Sequence, residues 1–323
     1  MRIGWTVLGA ACVLGFGMAA PAYAEWPDRP IHWVVPFGPG GANDLIARVA
    51  AEAVSKQLGQ PIIIDNRPGA GAIVGTGAVA RAPADGYTFL IGAAGVITNS
   101  MLMKNLPYAD SDLVPVGMIA VAPSTIVVNP SVPASNMAEF VAWAKTQGEK
   151  GITWSTAGSG STPHFVAEMI KEATGANLTI VPYRSGSDGV NAVLSNSVSA
   201  TSEASIVVLP QIKAGLLKAI ATTYIKRISA YPSLPTTAEQ GFPTVQIGHW
   251  AGLLAPRGTP EPIIRKMNIA MQTAIKTSEV QDKLAASGIE SAGGSVEDFV
   301  SFIAAERQRL GALAAKAKMS AEP

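Results

Sequence analysis

From residue 31 onward, short apolar runs rich in β-branched residues alternate with longer stretches whose apolar positions recur at helical spacing, and glycine or proline marks most switches. The first unit sets the pattern. Residues 31–35 read as a buried strand stopped by Pro36, and Gly38, Gly40 and Gly41 leave the following backbone uncovered. Beyond Asp44 the residues Ile46, Ala50, Val54 and Leu58 keep helical spacing up to Gly59, a natural C′ residue. The loop from Phe37 to Asn43 thus falls at a helix N-terminus, where unpaired N–H groups and the macrodipole favour a carboxylate or phosphate. The pattern repeats with a strand over 61–65, the loop Asn66-Arg67-Pro68-Gly69-Ala70-Gly71, and a short helix carrying Val74, Ala78 and Arg81. A strand over 88–91, ended by a loop over 92–95, completes the series. Such alternation predicts a mainly parallel sheet with helices on both faces and ligands at the C-terminal ends of its strands.

From Val114 the texture changes. Residues 116–121 and 126–128 are extended and apolar, punctuated by Pro115, Pro123, Pro130 and Pro133, and read as a crossing between domains. A helix over 136–147 and a strand over 152–155 lead into Ala157-Gly158-Ser159-Gly160-Ser161-Thr162-Pro163. Thr162 suits an N-cap and Pro163 the first helical position, so a second Gly/Ser loop also falls at a helix start. This α/β block continues with strand 179–182, helix 189–194, strand 198–202, helix 206–214 and an extended run over 217–222. Strand-like 245–247 and 253–255 precede a helix with Ile263, Met267, Met271 and Ile275 on one face, then helices over 279–287 and 296–315 and a polar tail from Lys316. The two α/β blocks show no residue-level repeat, and no segment is of low complexity.

Ahead of these units, Arg2, an apolar run from about Trp5 to Met18, and Ala22-Tyr23-Ala24 have the three parts of a secretory signal, with cleavage expected after Ala24. The single cysteine, Cys12, lies within that leader, so the 299 residues from Glu25 have neither disulfide nor thiolate chemistry and rely on their core. Arg2 is the leader's one charged residue, leaving 23 basic against 23 acidic residues and no basic cluster. That balance argues against nucleic acid and anionic membrane surfaces as partners.

Nucleotide cofactors find little support, because Gly69-x-Gly71 continues to Gly75 instead of a glycine three places on, and no Walker loop is present. His32, His164 and His249 are scattered, no pair has metal-ligand spacing, and each reads as structural or rim. Ser159 and Ser161 do not sit in a G-x-S-x-G elbow. Asp44 and Arg48, four apart, read as an exposed helix pair. Arg184, at a strand end, suits a ligand carboxylate and a surface ion pair equally, and Trp250 suits hinge packing better than a ligand platform. Glu203 also lies near a strand end, but a free carboxylate there would repel an anion, and it receives no binding role.

Taken in order, these segments resemble the Bug family, the periplasmic solute-binding proteins of tripartite tricarboxylate transporters. The resemblance spans essentially the whole chain after the leader. It is carried by Trp26-Pro27-Asp28-Arg29-Pro30-Ile31, Val34-Val35-Pro36-Phe37-Gly38-Pro39-Gly40-Gly41 and Asn66-Arg67-Pro68-Gly69-Ala70-Gly71. It continues in Ala82-Pro83-Ala84-Asp85-Gly86-Tyr87-Thr88, Ala157-Gly158-Ser159-Gly160-Ser161, Val181-Pro182-Tyr183-Arg184 and the run from Trp250 to Pro260. It implies a two-domain periplasmic-binding-protein fold of type II, a Venus flytrap with two mainly parallel sheets and crossing hinge segments. The first domain would take 25–123 and 223–323, the second 124–222.

The resemblance also implies a small organic acid, one carboxylate being held by backbone amides and waters of two loops, and membrane subunits of the transporter as partners. The expected binding residues are Phe37, Gly38, Pro39, Gly40, Gly41, Ala42 and Asn43 on the first loop and Ala157, Gly158, Ser159, Gly160, Ser161 and Thr162 on the second. Phe37, Ile73 and Arg184 are candidates for the distal end. The chain departs from the family pattern at Ser185, Asp188, Ser195-Asn196, Ser199 and Ala72-Ile73, which leaves the fold expectation in place and the identity of the ligand open. The expectation is a periplasmic, monomeric, non-enzymatic binding protein without cofactor or metal. Its rivals are a ligand-presenting sensor module, a serine hydrolase using Ser159 or Ser161 with His164, and a regulator's effector domain, which the leader and the lack of a DNA-binding segment disfavour.

Overall fold

Each of the first strand, loop and helix units expected from the apolar pattern forms, and a computed structural model describing residues 26–320 shows how they are joined. The secretory leader, its cleavage point and the last three residues of the polar tail lie outside the described residues. The chain begins β1 (Ile31–Val35), α1 (Ala42–Leu58), β2 (Ile62–Asn66), α2 (Ile73–Ala80), β3 (Thr88–Gly92) and α3 (Ala94–Leu102). The long β4 (Leu113–Val128) leads to α4 (Met137–Thr146), β5 (Ile152–Thr156), α5 (Thr162–Thr174), β6 (Leu178–Pro182) and α6 (Gly186–Leu194). After β7 (Ala200–Ala204), α7 (Ser205–Lys213) and β8 (Lys218–Thr222), the chain returns through β9 (Gly248–Pro256), α8 (Glu261–Ile275), α9 (Ser278–Ala285), β10 (Glu290–Ser291) and α10 (Val296–Lys316).

The sheet runs β2-β1-β3-β9-β4-β7-β5-β6, with β8 and β10 pairing β4 off this path. Each end carries the expected parallel ladder, β1 between β2 and β3, and β5 between β6 and β7. The two ladders are linked through antiparallel strands, β9 against β3 and β4, and β4 against β7 and β8. The extended runs on either side of Pro123 are therefore one strand. Through Pro123, which faces Gly248, β4 pairs with β9; from Ser124, which faces Ala204, it pairs with β7. Pro115 sits at a register shift, where the missing N–H is tolerated. A second link crosses beside the first, with Thr223 N–H bonded to Ser124 O at 2.8 Å and Ile247 N–H to Thr223 O at 2.8 Å.

Burial follows the helical spacing where that spacing is strong. Ile46, Ala50 and Val54 of α1 pack with Met267, Met271 and Ile275 of α8 in one core, together with Trp33 and Phe89. Trp154, Phe140, Phe165 and Ile170 sit in the other large core, which also takes in Trp250 and Phe299. α10 touches both ends of the molecule: Arg307 pairs with Asp110, and Lys316 pairs with Glu172 on α5.

Three expectations are corrected, at α3, at residues 245–247 and at the cap of α5, and the face that α2 buries is defined. α3 forms where only a loop was expected, because it is buried almost all round and has no side-chain cap to announce it. α2 turns Gly75, Thr76 and Val79 inward and leaves Val74 51% exposed, since a Cβ on Gly75 would stand 2.8 Å from Pro36. Residues 245–247 are not strand; β9 begins at Gly248, although Val245 and Ile247 are buried. The cap of α5 is Ser161, with Thr162 as its first helical residue.

Phe299 is 1% exposed, lies edge-on to Trp250 with centroids 5.9 Å apart, and fills the space that a Cβ on Gly252 would need. Phe299→Ala should therefore destabilise the protein by about 3–5 kcal/mol, read as a lower urea midpoint at unchanged slope.

Candidate functional site

Four helices begin at one place between the two ladders. α1 starts at Gly41, α3 at Ala93, α5 at Ser161 and α6 at Ser185, each the extended residue that precedes its first turn. The first bond of α1 is Leu45 N–H to Gly41 O, which leaves the preceding amides without a helical acceptor. Gly41, Ala42 and Asn43, Ala94 and Gly95, Ser161 and Thr162, and Gly186 line a small inner chamber of about 30 Å³, together with Glu203 and His249. That volume admits a water or one ligand oxygen. A larger cavity of about 770 Å³ lies outside it, lined by Gly71, Met103, Gly158, Ser159, Tyr183, Arg184 and Asp188 among others. Phe37 and Ala157 wall both.

Local chemistry fixes the first loop. Asp44 is 2% exposed, which corrects its reading as half of an exposed helix pair. Its Oδ2 accepts Gly40 N–H at 2.9 Å and Arg48 Nε–H at 3.0 Å, and its Oδ1 accepts from Asn66 Nδ2 at 2.9 Å. Burial pushes this carboxyl up, but the hydrogen bonds from Arg48, Gly40 and Asn66 and the Arg48 charge outweigh it and hold it below the usual range. Asn43 Nδ2 donates to Trp250 O at 3.1 Å and to Gly92 O at 3.4 Å, which commits its side-chain donor to the backbone.

The second loop is tied down just as closely. Ser161 Oγ donates to Gly158 O at 2.6 Å, and Gly160 N–H donates to His164 Nδ1 at 3.1 Å. His164 Nε2 faces Glu168 at 3.9 Å. Both ring nitrogens are thus directed away from the serine hydroxyls, and the residues proposed for a hydrolase do not form a nucleophile and base pair. Burial lowers the His164 pKa, with Glu168 opposing that and Lys171 adding to it.

The loops meet across the cleft. Gly38 N–H donates to Arg184 O at 3.3 Å, Ser187 Oγ donates to Pro39 O at 3.0 Å, and Thr98 Oγ1 donates to Gly160 O at 3.1 Å. Of the expected site residues, Gly41, Ala42, Asn43, Ser161 and Thr162 fall on the inner chamber, Gly158, Ser159 and Arg184 on the outer cavity, and Phe37 and Ala157 on both. Gly38, Pro39, Gly40 and Gly160 line neither and are spent on contacts between and within the loops. Ile73 is buried and lines neither, while its neighbour Ala72 lines the outer cavity.

Sequence reasoning missed the α3 start, Gly186, His249 and Glu203. Burial raises the Glu203 carboxyl to about 7, with the Ala204 N–H pulling the other way, and burial lowers His249 to about 3. Both groups are pressed towards neutrality, so the charge that argued against Glu203 is smaller than its side chain suggests. Among the described residues, no cluster of His, Cys, Asp or Glu is placed to hold a metal ion.

Residues 46–319 match the family model described as "Tripartite tricarboxylate transporter family receptor". The chain is 36% identical over 298 residues to Protein BugT of Bordetella pertussis, covering 91% of each. Among solved structures, Rpa4515 of R. palustris with adipate superposes with a TM-score of 0.88 at 32% identity, covering 92% of this chain and 99% of that one. MatC of Rhodopseudomonas palustris with bound malate gives 0.85 at 28% identity, covering 89% and 99%.

Two outcomes follow from the geometry. A Cβ on Gly71 would stand 2.7 Å from Ser159 O across the cleft, so Gly71→Ala should wedge it open. The expected result is a larger radius of gyration by small-angle scattering with unchanged circular dichroism. Asp44, with its lowered pKa, stabilises the fold above the ordinary carboxylate range, and this contribution is lost as pH falls through the folded-state value. Asp44→Asn should therefore lower the melting temperature at pH 7 and narrow the gap to wild type towards pH 2.

Proposed function

The chain belongs to the tripartite tricarboxylate transporter receptor family, and on that premise we propose how it holds its ligand and which residues do so. It is a solute-binding protein with the two-domain type II fold, not an enzyme, and it serves a tripartite transporter with a small organic acid. One carboxylate of that acid points into the inner chamber and is bound by the amides at the starts of α1 and α5, with α3 and α6 adding their N-terminal field. The rest of the ligand occupies the outer cavity, where Phe37, Tyr183 and Arg184 meet its distal end.

The observation that carries this reading is the meeting of four helix N-termini, drawn from both ladders, at one small chamber. Each terminus contributes up to ~2 kcal/mol to an anion in good geometry. Micromolar affinity requires about 8 kcal/mol, so backbone amides with a few charge-assisted hydrogen bonds suffice without a buried cation.

We place the domain boundaries at 123/124 and 222/223, supported by the change of β4 partners at Ser124 and the crossing at Thr223. The leader is removed after Ala24, the protein works in the periplasm as a monomer, and the closed form is what the membrane subunits recognise. Among the described residues no helix is long and apolar enough to cross a membrane.

A thermal-shift screen of organic acids against their amides and esters tests the reading. An acid present at a hundred times its Kd stabilises the native state by about 2.7 kcal/mol, a rise of several degrees, while its amide gives none. Shifts with amides alone would overturn it.

A further inference from the structure

A carboxylate in the inner chamber would not be alone there, because Glu203 already occupies its wall. This side chain is 3% exposed. Its Oε1 accepts Ala204 N–H at 2.8 Å, and its Oε2 lies so close to α6 that a Cβ on Gly186 would come within 1.8 Å. Among the described residues no arginine or lysine pairs with it. His249 on β9 places Nε2 3.4 Å from Oε1, yet this nitrogen has no hydrogen-bond partner.

The other titratable groups on elements packed around Glu203 are engaged or distant. On α5, His164 and Lys171 both face Glu168. On α6, Asp188 is exposed at the outer cavity, and on α7, Lys213 is exposed. Asp44 on α1 is held by Arg48. β4 and β5 carry no titratable side chain.

We propose that Glu203 takes up one proton when the ligand carboxylate enters, so that acid and proton are bound together. The proposal rests on the carboxylate reading given above. A ligand carboxylate with one oxygen in this chamber of about 30 Å³ lies against the Glu203 carboxylate in its wall; the two cannot both remain ionised, and the pair shares a proton drawn from solvent. The ligand keeps the negative charge, facing the helix N-termini, and protonated Glu203 becomes a hydroxyl donor towards a ligand oxygen or a bridging water. Burial already holds its carboxyl near neutrality, and the neutral imidazole of His249 supplies no positive charge to keep it ionised.

The consequence is a pH dependence with a definite sign. Below about pH 7 the empty site is already protonated there, and affinity is flat. Above it one proton must be taken up per ligand, so Kd rises about tenfold per pH unit.

Isothermal titration with adipate and malate as first probes, then with any acid that shifts the melting temperature, decides the matter. Titrations at pH 6 and pH 8, each in two buffers of different ionisation enthalpy, should show uptake near zero at pH 6 and near one proton at pH 8. Glu203→Gln, which keeps a neutral donor of the same shape, should make Kd independent of pH. Binding at pH 8 with no proton uptake by the wild-type protein overturns the inference, whether or not the variant folds. If no acid binds between pH 5 and pH 9, the carboxylate reading falls first and takes this inference with it.

Discussion

Everything about the cleft depends on one backbone constraint: a single strand is hydrogen-bonded into both halves of the molecule. β4 gives its first eleven positions to the neighbourhood of β9 and its last five to β7 and β8. Neither half can slide along the other without breaking a ladder. Under the domain division proposed above, the motion left to the halves is a rotation about residues near Pro123 and Thr223, and such a rotation would bring the same loops together each time.

What those loops offer is set by backbone chemistry more than by side chains. Asp44, Ser161 and His164 spend polar groups on holding the loops in shape. The amides left over at the helix starts carry partial positive charge without a formal cation, which suits the reversible holding of an anion proposed above. The chamber also explains a tension in its own electrostatics. Converging N-termini favour negative charge, whereas burial of Glu203 disfavours it, and a ligand carboxylate placed as proposed would compete with Glu203 for the same field.

The parallel ladders, the long helices α1, α8 and α10, and the two loops at helix starts were legible in the sequence, because each has either a run of β-branched residues or a clear helical stripe. α3 was not, since a helix buried on all sides has no polar face to reveal its period, and Ala93 is no cap signal. The buried face of α2 was not legible either, because its contact surface is made in part by glycines, which periodicity does not count as apolar. Asp44 was misjudged as exposed, and the burial of Glu203 was not foreseen, for a common reason: burial changes what a carboxylate does, and nothing in the local sequence records it. His249 lies 46 positions from Glu203, a proximity that only the pairing of β9 and β7 through β4 creates.

The chain order of the sheet has a consequence for how the protein is made. β3 is flanked by β1 on one side and by β9 on the other, and β9 is separated from it by the whole second α/β block. As the polypeptide emerges from its N-terminus, the apolar edge formed by Leu90 and Ile91 has no neighbour until residues 253 and 254 arrive. During that interval the nascent first half presents an open strand edge, the kind of surface that pairs with other chains. The second half, continuous between the crossings, is free to fold first, and the half that begins the chain is the last to be completed.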